Sequence, residues 1–92
     1  MINARAELII RGRVQGVFYR QWTKNMALRL GLTGWARNCP DGSVAAVFEG
    51  GKPFIEEAII LCRQGPPAAI VKDIEVVWRD FQGEFSTFEI RF

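Results

Sequence analysis

The sequence predicts an α+β sandwich. Two helices lie on one face of a mostly antiparallel sheet, in the chain order β, α, β, β, α, β, with a short strand added at the C-terminus. Three observations predict it: apolar residues alternate in several short stretches, recur near every fourth position in two longer ones, and are separated by glycine or proline between the two regimes. In residues 7–12, ELIIRG, Leu8 and Ile10 alternate with Ile9 between them, which suits a central strand buried on most of both faces. From Phe18 the period changes: Phe18, Trp22, Met26 and Leu30 fall four apart with Arg20, Gln21, Thr23 and Lys24 between them, an amphipathic helix. Gly31 stands where a left-handed cap ends such a helix. Thr33 to Asn38 reads as a strand, Asp41-Gly42 as a turn, and Ser43 to Glu49 as its return, with Val44, Ala46 and Phe48 on one face. Pro40 fits only outside the ladder. Pro53 suits a first helical position, and Phe54, Ile55, Ala58, Ile59, Leu61 and Cys62 form a second apolar helical face ending at Gly65. After GPPAA, Ile74, Val76 and Trp78 alternate as a fourth strand, and Phe88, Ile90 and Phe92 as a short last one. The order is the split βαβ pattern of ferredoxin-like folds.

Size and composition narrow the function classes. Ninety-two residues, 49% hydrophobic and 24% charged, are expected to form a single domain over residues 1–92. The opening MINARAELII carries Arg5 and Glu7 and no long apolar run, so a cytoplasmic, membrane-independent protein is the expectation, and separately a monomer is expected. Cys39 and Cys62 are too far apart for a CxxC site, and the absence of histidine removes the commonest metal ligand and general base. Metal, cofactor and triad chemistry are therefore not expected. Residues 1–40 hold seven basic side chains against the single acid Glu7, whereas the rest hold five basic and nine acidic ones. Such asymmetry fits an anionic partner and equally a solvated basic face.

The predicted topology brings two segments together. With strands one and two parallel and strand three between them, the loop from Arg13 to Tyr19 and the end of strand two at Asn38 share one sheet edge. In GRVQGVFYR, residues 12–20, Gly16 lets the chain turn at a helix start, where backbone NH groups lack partners and a partial positive charge gathers. Arg20 in the first turn opposes the helix dipole unless it faces a bound anion, and phosphate matches the guanidinium fork best. The loop has neither the Lys-Ser/Thr of a nucleotide P-loop nor GxGxxG. Taken alone, it also fits a turn glycine beside a solvated arginine.

GRVQGVFYR, followed by GLTGWARNCPDGSVAAVFEG, GPPAAIV and a closing FEIRF, resembles the acylphosphatases over essentially the whole chain. The resemblance implies a ferredoxin-like sandwich and metal-independent hydrolysis of acyl phosphates to carboxylate and inorganic phosphate. It implies a phosphate cradle from the backbone NH groups of Gln15, Gly16, Val17, Phe18 and Tyr19, phosphate binding and transition-state stabilisation by Arg20, and water positioning by Asn38. The sequence departs from the usual family pattern at Tyr19, Ala36, Cys39, Pro40 and Phe92, and Cys39 and Pro40 bear on the Asn38 backbone. No nucleic-acid partner is implied. The alternatives are a non-catalytic ferredoxin-like module binding an anion or RNA, and a regulatory module of a larger carbamoyl-phosphate-using enzyme. Asp41 beside Gly42 reads as turn chemistry, and Trp22, Trp35, Trp78, Phe18 and Phe48 as core packing.

Overall fold

A computed structural model describes residues 1–92. The elements follow the expected order: β1 (Asn3–Arg13), α1 (Tyr19–Arg29), β2 (Thr33–Asn38), β3 (Val44–Gly51), α2 (Lys52–Gln64), β4 (Ile70–Arg79) and β5 (Phe88–Arg91). They build one five-stranded sheet in the order β4-β1-β3-β2-β5, antiparallel except for the β2–β5 pair. β1 and β2 are therefore parallel and flank β3, so their C-terminal ends share an edge. The helices cover one face, α1 against β2 and β5, α2 against β1, β3 and β4. No helix is long and apolar enough to cross a membrane.

The hairpin forms as read, with Thr33 opposite Glu49 and Asn38 opposite Val44. The Asp41 carboxylate accepts from the Ser43 NH at 3.0 Å and from its hydroxyl at 2.6 Å, closing the turn. In α2, Lys52 is the first helical residue and Pro53 the second, and the buried face is Ile55, Ala58, Ile59 and Cys62. Phe54 and Leu61, expected on that face, lie at its margins, exposed and half-buried respectively.

The first helix turns a different face inward from the one expected. It buries Tyr19, Thr23, Met26 and Ala27, while Phe18 lies just before the helix with its ring in solvent and Trp22 and Leu30 are only half-buried. The polar tip of Tyr19 permits this rotation, because its hydroxyl donates to the Cys62 carbonyl at 2.5 Å and the ring is covered without stranding the oxygen. Thr23 is satisfied likewise, its hydroxyl donating to the Tyr19 carbonyl at 2.8 Å.

Of the five aromatics expected in the core, only Phe48 is there, stacked on Phe88 at 5.5 Å between centroids. Trp35 is half-buried, with the guanidinium groups of Arg37 and Arg91 5.4 and 5.0 Å from its ring centroid. Trp78 sits on edge strand β4, beside the Lys52 ammonium at 5.2 Å. Phe92 projects beyond β5 and is exposed.

β3 is buried on both faces from Val44 to Glu49, and the β4–β5 connection reaches its outer side at Glu49. There the Gln82 NH donates to Glu49 Oε2 at 2.7 Å, and the Arg5 guanidinium lies 3.5 Å from the same oxygen while also pairing with Glu84. These ties fix the segment that delivers β5 to the far edge of the sheet.

Candidate active site

The site begins where β1 leaves the sheet. Its register against β4 shifts between Arg11 and Gly12, and Gly12 has φ 133°, where a β-carbon would lie 2.1 Å from the Ile70 carbonyl oxygen. Only glycine permits this approach. The chain then passes Gly16 at φ 74° and Phe18 at φ 61°, the one non-glycine residue with positive φ. Left-handed backbone costs a side chain such as phenylalanine about 1–2 kcal/mol. Val17, between the two, is buried and pins the loop to the core.

This backbone leaves its donors free. None of the NH groups from Gln15 to Gln21 donates to a backbone or side-chain acceptor, and α1 has neither a side-chain cap nor an acid in its first turn. Seven NH groups at a bend and a helix N-terminus, with the chain's hand reversing at Gly16 and again at Phe18, make an anion-receptive concavity.

Arg20, second in α1, is half-buried and has no carboxylate partner. It is held from the sheet side: Nη1 donates to the Arg91 carbonyl at 3.2 Å and Cζ lies 4.9 Å from the Phe92 ring centroid. Asn38 ends β2 in regular register with Val44, so Cys39 and Pro40 leave its backbone in the ladder. Its amide, without a protein partner, lines the same cavity of about 440 Å³ as Gly16, Phe18, Tyr19 and Arg20. No Asp or Glu side chain lines that space.

Gln15 and Val17 do not line the cavity. The Gln15 side chain instead reaches the hairpin, Nε2 donating to the Cys39 and Ser43 carbonyls at 2.8 Å each. The loop and the segment carrying Asn38 are thus tied to each other. Sequence reasoning missed this clamp and missed Ile90 and Phe92 as cavity walls. Only the parallel β2–β5 pairing brings the last residues there, and apolar alternation carries no signal for a strand's direction.

Two titratable groups below the loop are kept neutral. Burial pushes the Tyr19 phenol above its ordinary range, and burial pushes the Cys62 thiol up to about 12. Tyr19 therefore contributes its backbone and its packing at the site, not a phenolate.

A ferredoxin-like fold with unpartnered NH groups, an arginine and a carboxamide gathered at one sheet edge is the class these features define. The acylphosphatase family model matches residues 6–90. An acylphosphatase from Pelotomaculum thermopropionicum is 50% identical over 92 residues, covering 100% of both chains. Among solved structures, the acylphosphatase from Bacillus subtilis superposes with a TM-score of 0.94 at 29% identity, covering 97% of this chain and 99% of that one. Full-length HypF, in its phosphate- and nucleotide-bound form, matches with a TM-score of 0.85 at 25% identity, over 98% of this chain and 12% of that protein. This chain belongs to the acylphosphatase family, whose members are hydrolases taking a small acyl phosphate and releasing inorganic phosphate.

Proposed function

We propose that the chain hydrolyses acyl phosphates without a metal, as a cytoplasmic monomer with no nucleic-acid or membrane partner and one domain over residues 1–92. The NH groups of Gln15, Gly16, Val17, Phe18 and Tyr19 hold the phosphate, Arg20 clamps it, and Asn38 positions the attacking water. The observation that carries this reading is that Gly16, Phe18 and Tyr19, whose NH groups lack acceptors, line one cavity with the Arg20 guanidinium, which has no carboxylate partner, and the free Asn38 carboxamide.

The chemistry needs little else. Water attacks phosphorus, the bond from phosphorus to the acyl oxygen breaks, and the carboxylate leaves as a weak base that requires no protonation. The transition state is loose, with charge spread over the equatorial oxygens, where preorganised NH donors and the guanidinium fork act. The Asn38 carbonyl oxygen accepts from the water and aligns it, and the proton passes to a phosphate oxygen of the substrate. An RNA-binding reading finds no comparable support, because the outer-face positions of central strands β1 and β3 include Arg5, Glu7, Ile9, Ala45 and Val47 and no aromatic residue.

The test is a colorimetric assay with benzoyl phosphate, with and without a chelator, on the wild type and on Asn38→Ala. Turnover is expected to be insensitive to the chelator, and the variant to lose about 100-fold or more in kcat. Full turnover by Asn38→Ala would remove the carboxamide from the mechanism.

A further inference from the structure

A second, more apolar space adjoins the cavity lined by Arg20 and Asn38. A space of about 390 Å³ opens between the start of α1 and the turn after α2, walled by Val17, Phe18, Trp22, Pro66, Pro67 and Ala68. Phe18 and Gln21 line both spaces, so the two adjoin across these side chains. Gln21 and Asn25 form the polar rim, the Gln21 amide donating to the Asn25 carbonyl oxygen at 3.0 Å.

Phe18 makes this groove hard to explain as packing. It is 86% exposed, and it holds a left-handed conformation that glycine would adopt without strain. An exposed apolar ring kept at a conformational cost implies a use for the ring. Direction supplies the use. In-line displacement requires the leaving group to lie opposite the attacking water. Asn38 belongs to the sheet layer, and so do its neighbours Ile90 and Phe92 on and just beyond β5. A water held by Asn38 therefore expels the carboxylate away from the sheet, into the helix layer, where Phe18, Trp22 and the Pro66-Pro67 turn stand.

We propose that this groove binds the acyl chain of the substrate and makes the enzyme selective for acyl phosphates with an extended apolar tail. The proposal rests on the phosphate cradle described above. The tail covers Phe18 and lies against Trp22 and Pro67, removing its own methylenes and the exposed ring from water.

The test uses straight-chain acyl phosphates from propionyl to octanoyl, whose carboxylates are leaving groups of nearly constant basicity, so that chain length reports binding alone. For the wild type, kcat/KM is expected to rise by up to about fourfold for each methylene that enters the groove. Ala68→Gln, a neutral side chain projecting into the groove, and Trp22→Ala, which removes a wall, are expected to flatten that rise. Turnover of acetyl phosphate and inhibition by inorganic phosphate are expected to stay within about twofold of wild type in Ala68→Gln. Because Trp22 is partly packed against the core, Ala68→Gln alone suffices if Trp22→Ala does not fold. A flat chain-length series in the wild type would overturn the proposal, as would an unchanged slope in Ala68→Gln. Loss of the slope on truncating Ile90 instead would place the tail along the sheet and overturn it too. Failure of the underlying cradle would show separately, as absence of inhibition by inorganic phosphate whatever the slope.

Discussion

Replacing Gln15 by alanine separates the clamp between loop and hairpin from the cradle itself. The substitution removes two hydrogen bonds, Nε2 to the Cys39 and Ser43 carbonyls, each 2.8 Å. Neither carbonyl is orphaned. The Ser43 oxygen still accepts from the Cys39 NH at 2.8 Å and the Cys39 oxygen from the Gly42 NH at 3.1 Å. The full desolvation penalty is thereby avoided, and two ordinary partly buried bonds set the cost at about 1–2 kcal/mol. In a chain of this size that corresponds to a fall in Tm of roughly 5–15 °C. The cradle NH groups and Arg20 do not pass through this clamp, so the inhibition constant of inorganic phosphate should stay within about twofold of wild type. The position of Asn38 relative to the phosphate does pass through it, and displacement by a fraction of an ångström to an ångström lowers kcat by about 10- to 100-fold. Urea unfolding gives the first quantity, and steady-state hydrolysis of benzoyl phosphate with phosphate as inhibitor gives the other two. A variant with a normal unfolding midpoint would show that the bonds contribute nothing to stability. A destabilised variant with normal kcat would show that Asn38 is held independently of the loop.

Other substitutions probe single contacts. Arg20→Lys keeps the charge but loses the fork, so phosphate inhibition and kcat are expected to weaken together; unchanged inhibition would exclude the guanidinium as clamp. At Asp41 the hydrogen bonds from the Ser43 hydroxyl and NH hold the carboxyl below its ordinary value of 3.8. A depressed folded-state pKa stabilises above the unfolded value and ceases to do so as pH falls through the folded one. The wild type's advantage over Asp41→Asn in urea midpoint should therefore be complete at pH 6 and shrink below about pH 4. Phe18→Gly relieves left-handed strain at some cost in backbone entropy and is expected to raise stability by about 0.5–1 kcal/mol, measured by the same unfolding curves. An unfolding midpoint below that of wild type would show that the Phe18 ring contributes to the fold.

What was legible in the sequence is what local chemistry decides. Asp41-Gly42 forces a hairpin whatever surrounds it, and β2 spans Thr33–Asn38 as read. Gly16, Arg20 and Asn38 could be placed on one edge because the split βαβ order makes β1 and β2 parallel, a matter of topology and not of side-chain detail. The features missed depend on partners distant in sequence. The Gln15 clamp spans 24 and 28 residues, and the Arg91 carbonyl meets Arg20 across 71. Glu49, outside the apolar face of Val44, Ala46 and Phe48, is fully buried, and the segment at Gln82 and Glu84 that covers it has no periodic pattern that announces it.

The largest departure from the sequence reading is also the one with most bearing on function. Phe18 and Tyr19 are adjacent aromatics, and hydropathy alone sends the phenylalanine inward. The structure sends the tyrosine in, because a carbonyl in the last turn of α2 has no amide to accept from, and the Tyr19 hydroxyl meets it there at Cys62. Once Tyr19 occupies the core, Phe18 must reverse its backbone hand for the helix to begin on the inward residue, and it does so at φ 61°. That reversal follows the one at Gly16 and shapes the curve along which the free NH groups lie. It also puts the Phe18 ring in solvent beside them, where the apolar groove begins. One hydroxyl, satisfied at the far helix, thus couples the packing of the core to the shape of the cradle and to the face offered to the departing acyl group.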